Sequence, residues 1–137
     1  MLELAKGKFA IEVASEKELV PTLEALKTIA AAGDITAGGA VNLTGATGIS
    51  TAGDVTTSSD AVNYNSATTL TGAVAINTTS AGNGGDITFV STVDGTQNLT
   101  LTAGTAGNVT FTGLVGDTAA LDAVLINSAQ NVTVNGL

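Results

Sequence analysis

Three aspartates share one local phrase: Asp34-Ile35-Thr36, Asp54-Val55-Thr56 and Asp86-Ile87-Thr88 each follow a glycine directly. Carboxylates that recur at one phase could line up along an edge and bind Ca2+, a hard cation that takes oxygen ligands. The same place is taken further on by Asn108-Val109-Thr110 and Asn131-Val132-Thr133. Neutral asparagine there favours a structural role, an Asx-type turn in which the side chain accepts the amide two residues on. Asp34, Asp54 and Asp86 are therefore weak Ca2+ candidates, and no firm metal site is expected. Asp117 and Asp122 could act as paired acids on a glycosidic bond. Both fall in a loop-like stretch and read equally well as solvated turn residues.

The rest of the usual chemistry is missing. Histidine, cysteine and tryptophan are absent, and the four basic residues are all lysines, at positions 6, 8, 17 and 27. Zinc ligands and the commonest general base near neutral pH are thus lacking, and no cofactor or catalytic residue is expected. A net charge of −8 disfavours nucleic acid, since affinity for phosphate rests on clustered Lys and Arg. No stretch is long and apolar enough to span a bilayer as a helix, and Met1 to Lys8 leads into charged sequence rather than a signal-peptide apolar region.

What must position these residues is a repeat. The five phrases beginning at Asp34, Asp54, Asp86, Asn108 and Asn131 are 20, 32, 22 and 23 residues apart. A unit of about 22 residues, with one insertion or phase slip between Asp54 and Asp86, accounts for that series. Each unit holds further β-rich runs, among them Val41 to Thr44, Val62 to Asn65, Val74 to Asn77, Asn98 to Thr102 and Val124 to Asn127. In each run an aliphatic residue alternates with Thr, Asn or Ser, sending one set inward and the other outward. Gly, Asn, Asp and Ala between runs supply tight corners. Three runs per unit imply three faces, and similarity sustained at this period favours coils stacked about 4.8 Å apart over antiparallel hairpins. Four to five coils are expected.

The composition changes near residue 30. All four lysines and all five glutamates lie in the first 27 residues, and afterwards Asp is the only charged type. This first part reads as a strand from Lys8 to Val13 followed by a helix. Ser15 and Glu18 fit a capping box, but Pro21 places the main helix at about 21 to 32, with Leu19, Leu23, Leu26, Ile29 and Ala30 as its stripe and Gly33 as its stop. The division expected is a capping strand and helix over 1–32 and repeats over 33–137, whose last strand, Asn131 to Val134, leaves an edge open to self-association.

The stretch Gly85-Asp86-Ile87-Thr88-Phe89-Val90-Ser91-Thr92-Val93-Asp94-Gly95, with Asn98-Leu99-Thr100-Leu101-Thr102-Ala103-Gly104 and Asn108-Val109-Thr110-Phe111-Thr112-Gly113, resembles the β-strand repeats of filamentous-haemagglutinin-like bacterial surface adhesins. The resemblance covers residues 33 to 137. It implies a right-handed parallel β-helix, exported to the cell surface, that serves as a stalk and contact surface without a catalytic motif. Residues 1 to 32 are instead similar to the strand-plus-helix caps of other right-handed β-helices, including pectate-lyase-like ones, so an engineered, capped piece is an alternative. Gly82-Asn83-Gly84-Gly85-Asp86 resembles the calcium nonapeptide of toxin repeats, in a single imperfect copy.

The fold expected is all-β, a β-solenoid, and the function that of a structural or interaction module with glycan or cell-surface contacts. The alternatives are a Ca2+-binding or ice-binding β-helix, the latter through outward pairs such as Thr100 with Thr102 and Thr110 with Thr112, or a carbohydrate-active enzyme. Asn-x-Ser/Thr sequences begin at Asn42, Asn77, Asn98, Asn108 and Asn131 and read as inter-coil ladder residues rather than glycosylation sites.

Overall fold

Among the residues that the computed structural model describes, 11–13 and 28–136, the chain forms fifteen short strands and no helix. They follow one another around a ribbon. First come β1 (Ile11–Val13) and β2 (Thr28–Ala31). The next turn is β3 (Ile35–Ala37), β4 (Val41–Leu43) and β5 (Gly48–Thr51). It is followed by β6 (Val55–Thr57), β7 (Val62–Tyr64) and β8 (Thr68–Leu70), and then by β9 (Val74–Asn77), β10 (Ile87–Phe89) and β11 (Val93–Asp94). The last turns are β12 (Asn98–Thr102) with β13 (Val109–Phe111), then β14 (Ala123–Ser128) with β15 (Val132–Val134).

Every neighbouring pair is parallel, and equivalent strands of successive turns pair with each other. The first sheet has the order β1-β3-β6-β9-β12-β14, the second β4-β7-β10-β13-β15 and the third β2-β5-β8-β11, continued by a single bridge from Val93 to Val115. This is a three-sided β-solenoid of about five turns. Backbone amides point along the stack, so Ile35, Val41 and Ile49 donate to the carbonyls of Asp54, Ala61 and Ala67 one turn on, at 2.8 to 2.9 Å. Each turn thus satisfies the polar edge of the last.

The interior is built from files of identical positions. In the second sheet Val41, Val62, Ile87 and Val109 form one buried file and Leu43, Tyr64, Phe89 and Phe111 the next. Tyr64 stacks on Phe89 with ring centroids 4.8 Å apart, and Phe89 on Phe111 at 5.2 Å. Parallel pairing in register brings the rings close to the inter-strand spacing, within the range of favourable aromatic contact. Corners are tight because glycines meet backbone there. Gly95 sits at φ +123°, and a Cβ on it would run into the Leu70 carbonyl of the previous turn, so only glycine fits.

Two expectations need correction. The helix placed at about 21 to 32 does not hold over Thr28 to Ala31, which is strand β2 in register with Gly48 to Thr51. Ile29 and Ala31 are also two apart. Pairing with β5 satisfies the strand's backbone and buries Ala31, whose carbonyl accepts the amides of Ala52 and Gly53, and this tertiary ladder overrides the local helical stripe. The rest of that helix, the capping box at Ser15 and Glu18, and residues 8–10 of the first strand lie outside the described residues. The strands on both sides of position 32 belong to the same sheets, since β1 pairs with β3 and β2 with β5.

The second correction concerns phase. The 32-residue interval from Asp54 to Asp86 is one turn plus one face. Asp34 and Asp54 precede β3 and β6 of the first sheet, whereas Asp86, Asn108 and Asn131 precede β10, β13 and β15 of the second. The same phrase starts strands on two different walls because both walls need an aliphatic residue inward and a polar one before it.

Candidate functional site

The three candidate aspartates do not form one edge. Asp34 and Asp54 are neighbours in the first sheet, and Asp86 stands on another face. Nor are their oxygens idle: Asp34 Oδ1 accepts the backbone N–H of Asp54 at 2.9 Å, and Asp54 Oδ1 accepts that of Ala75 at 2.7 Å. Asp86 Oδ1 accepts both the backbone N–H and the Nδ2 of Asn108, at 2.8 and 2.9 Å. The Asx-turn reading is corrected accordingly, because these carboxylates accept an amide one turn on rather than two residues on. Among the described residues no group of three or more acidic side chains converges into a metal-binding set. Asp117 and Asp122 are exposed in the loop between β13 and β14, as the sequence suggested.

The asparagine files are ladders in part. Asn63 donates its Nδ2 to Asn42 Oδ1 at 2.8 Å, and Asn131 donates to Asn108 Oδ1 at 2.9 Å. Asn77 departs from this pattern: its Oδ1 accepts the backbone N–H and the hydroxyl of Thr79, which is the Asx turn expected elsewhere. That turn opens a nine-residue corner, residues 78–86, whose base is closed by Thr78. The buried Thr78 hydroxyl donates to the Gly85 carbonyl at 2.8 Å and accepts the Gly85 N–H at 3.0 Å.

Two of the three outward walls carry long polar files. On the first sheet the register sets Thr36, Thr56, Asn77, Thr102 and Ser128 in one file, and on the second Asn42, Asn63, Thr88, Thr110 and Thr133 in another. The threonine pairs singled out above are divided between these walls, Thr100 and Thr102 on the first and Thr110 on the second. They do not make one flat threonine array.

Sequence reasoning passed over three features. Asp94 accepts the amides of Thr118 and Ala119, at 2.8 and 3.2 Å, and so holds the loop before β14. Thr57 and Thr78 point inward with their hydroxyls bonded to corner carbonyls. The Tyr64 hydroxyl, in contrast, is buried with no hydrogen-bond partner. Burial pushes its ionisation well above the usual tyrosine range, and the negative charge of Asp54 adds to this. The signal for the aromatic file was present, because Tyr64, Phe89 and Phe111 are themselves one turn apart.

Among the described residues no helix is long and apolar enough to cross a membrane, which says nothing of β-barrels. No family model, curated protein or solved structure matches the chain. The fold and the files of side chains are accordingly what any functional reading rests on.

Proposed function

We propose that this chain is a non-catalytic segment of an exported, adhesin-like surface protein, a stiff spacer whose polar walls make weak contacts with glycans or other surface groups. The observation that carries this reading is the division of labour among side chains. The aspartates before β3, β6 and β10 hold successive turns together, as do the Asn42–Asn63 and Asn108–Asn131 pairs, whereas the remaining polar side chains of the first- and second-sheet files run along the outer side of the solenoid. Hydroxyls and amides at regular spacing suit carbohydrate, which offers the complementary donors and acceptors and binds weakly at each site. The adhesin assignment rests on the likeness of the repeats and on this surface.

A multivalent display of the chain on a glycan array tests it. The expected result is binding that depends on valency and is lost when Thr88→Glu and Thr110→Glu are combined, with the melting temperature little changed. Absence of binding to any glycan or cell surface, or turnover of a polysaccharide, would count against the proposal.

A further inference from the structure

Asparagine is a chemically labile residue. It is most so before glycine, where no Cβ hinders attack of the next backbone nitrogen on the side-chain amide. Asn83-Gly84 is such a pair, and Asn83 lies in the exposed part of the corner 78–86. Asn42, Asn63, Asn77, Asn108 and Asn131 have their carboxamides engaged, whereas that of Asn83 has no partner among the described residues. The Gly84 N–H is unbonded among them as well. Gly84 sits at φ +99°, and a Cβ on it would meet the Ala103 carbonyl, so the position admits only glycine.

One bond at this pair favours the reaction. The Asn83 carbonyl accepts the Ala106 N–H at 3.1 Å. Loss of the Gly84 proton spreads negative charge onto that same oxygen, and a donor on it stabilises the charge. Asp94-Gly95 provides the contrast. Its Gly95 N–H donates to the Ala119 carbonyl at 3.1 Å, and Asp94 Oδ1 accepts the amides of Thr118 and Ala119. Attacking and attacked groups are both held there and must open before they can meet.

We infer that Asn83 is a site of spontaneous modification through which the corner 78–86 alters its own backbone. The Gly84 nitrogen gives up its proton and bonds to Asn83 Cγ, and the Cγ–Nδ2 bond breaks with loss of ammonia, leaving a cyclic imide. Water then adds to either imide carbonyl and opens the ring to an aspartyl or an isoaspartyl link. One water is consumed and one ammonia released, and no oxidant or reductant takes part. The isoaspartyl link adds an atom to the main chain where the Asn83 carbonyl lies against Gly104 and accepts from Ala106. It therefore loosens this corner from the one stacked on it.

Incubation of the intact chain in mildly alkaline oxygen-18 water, with and without denaturant, followed by peptide mapping, tests the inference. Chymotrypsin cleaves after Tyr64, Phe89 and Phe111, so Asn83, Asp94 and Asn135 fall in separate peptides. In the folded chain the Asn83 peptide should lose ammonia, take up the label and yield an isoaspartyl isomer, and the isolated product should melt below the parent. Asn83→Gln, whose attack would need a larger ring, should remove the change from that peptide. Asp94-Gly95 should isomerise in denaturant and about tenfold or more slowly in the folded chain. Conversion of Asn83 only in denaturant, or a folded chain that converts only at Asn135-Gly136, would overturn the inference. So would an Asp94 that reacts as fast folded as unfolded, or a product whose melting is unchanged.

Discussion

The middle of the solenoid and the turn of β14 and β15 are written in the same style and differ in how far neighbouring strands cover them. Val109 and Val132 hold equivalent places in the second sheet, as do Phe111 and Val134, yet only the earlier member of each pair is covered. Burial here is conferred by the next turn rather than by a strand's own pattern. A three-residue strand such as β13 can hide only what its neighbours cover, so stability accumulates by stacking, as expected of a quasi-one-dimensional array.

The sharpest way to break this comparison is to truncate one side chain of the same inward file in each region. Phe89→Ala removes the middle ring of the stack and should cost about 3–5 kcal/mol, the usual range for a buried aromatic. Val134→Ala, in the same file two turns on, should cost no more than about 1 kcal/mol, because the residue is smaller and 41% of it is exposed. Denaturant titration of both variants measures the ratio, and equal losses would show that burial does not depend on the next turn.

The carboxylate ladder gives a smaller contrast. Asp54→Ala leaves the Ala75 amide without its acceptor and should cost about 1 kcal/mol, most of which Asp54→Asn should recover, since an amide oxygen can still accept. At the last turn Asn131→Ala removes a bond to Asn108 in an exposed setting and should change stability by less than either. If the melting temperature of Asp54→Asn were no better than that of Asp54→Ala, charge rather than hydrogen bonding would hold the ladder.

The smallest effect at neutral pH belongs to Tyr64→Phe, which removes a buried hydroxyl without a partner and should leave stability unchanged or slightly higher. The advantage of the variant grows in alkali. Because the folded chain holds the proton more tightly than the unfolded one, the stability linked to Tyr64 is intact below the ordinary tyrosine pKa of about 10 and is lost as pH rises beyond it. Tyr64→Phe should therefore resist alkaline unfolding better than the parent, and parallel pH profiles for the two would show that the ring is not buried as described.

The repeat was legible in the sequence because its period and its inward–outward alternation are carried by many residues at once. Asp34, Asp54, Asn108 and Asn131 each mark the start of a strand, and Val41, Val74 and Asn98 open strands as read. Which wall a phrase belongs to was not legible. Asp54 and Asp86 stand in the same local words on different sheets, and only the length of the corner at 78–86 decides where the chain resumes. Thr28 to Ala31 misled for a similar reason: Ile29 and Ala30 fall on the helical spacing of Leu19, Leu23 and Leu26, and only pairing with Gly48 to Thr51 makes them a strand. The polar walls were foreseen by residue type, but their division into two files depends on register across turns.

The central claim is that positions one turn apart lie directly over one another, and the four aromatic residues make it testable by a single proton NMR experiment. Nuclear Overhauser contacts should join the Phe89 ring to both Tyr64 and Phe111, with none between Tyr64 and Phe111 themselves. Absence of the two Phe89 contacts, or a direct contact between Tyr64 and Phe111, would contradict the stacked solenoid.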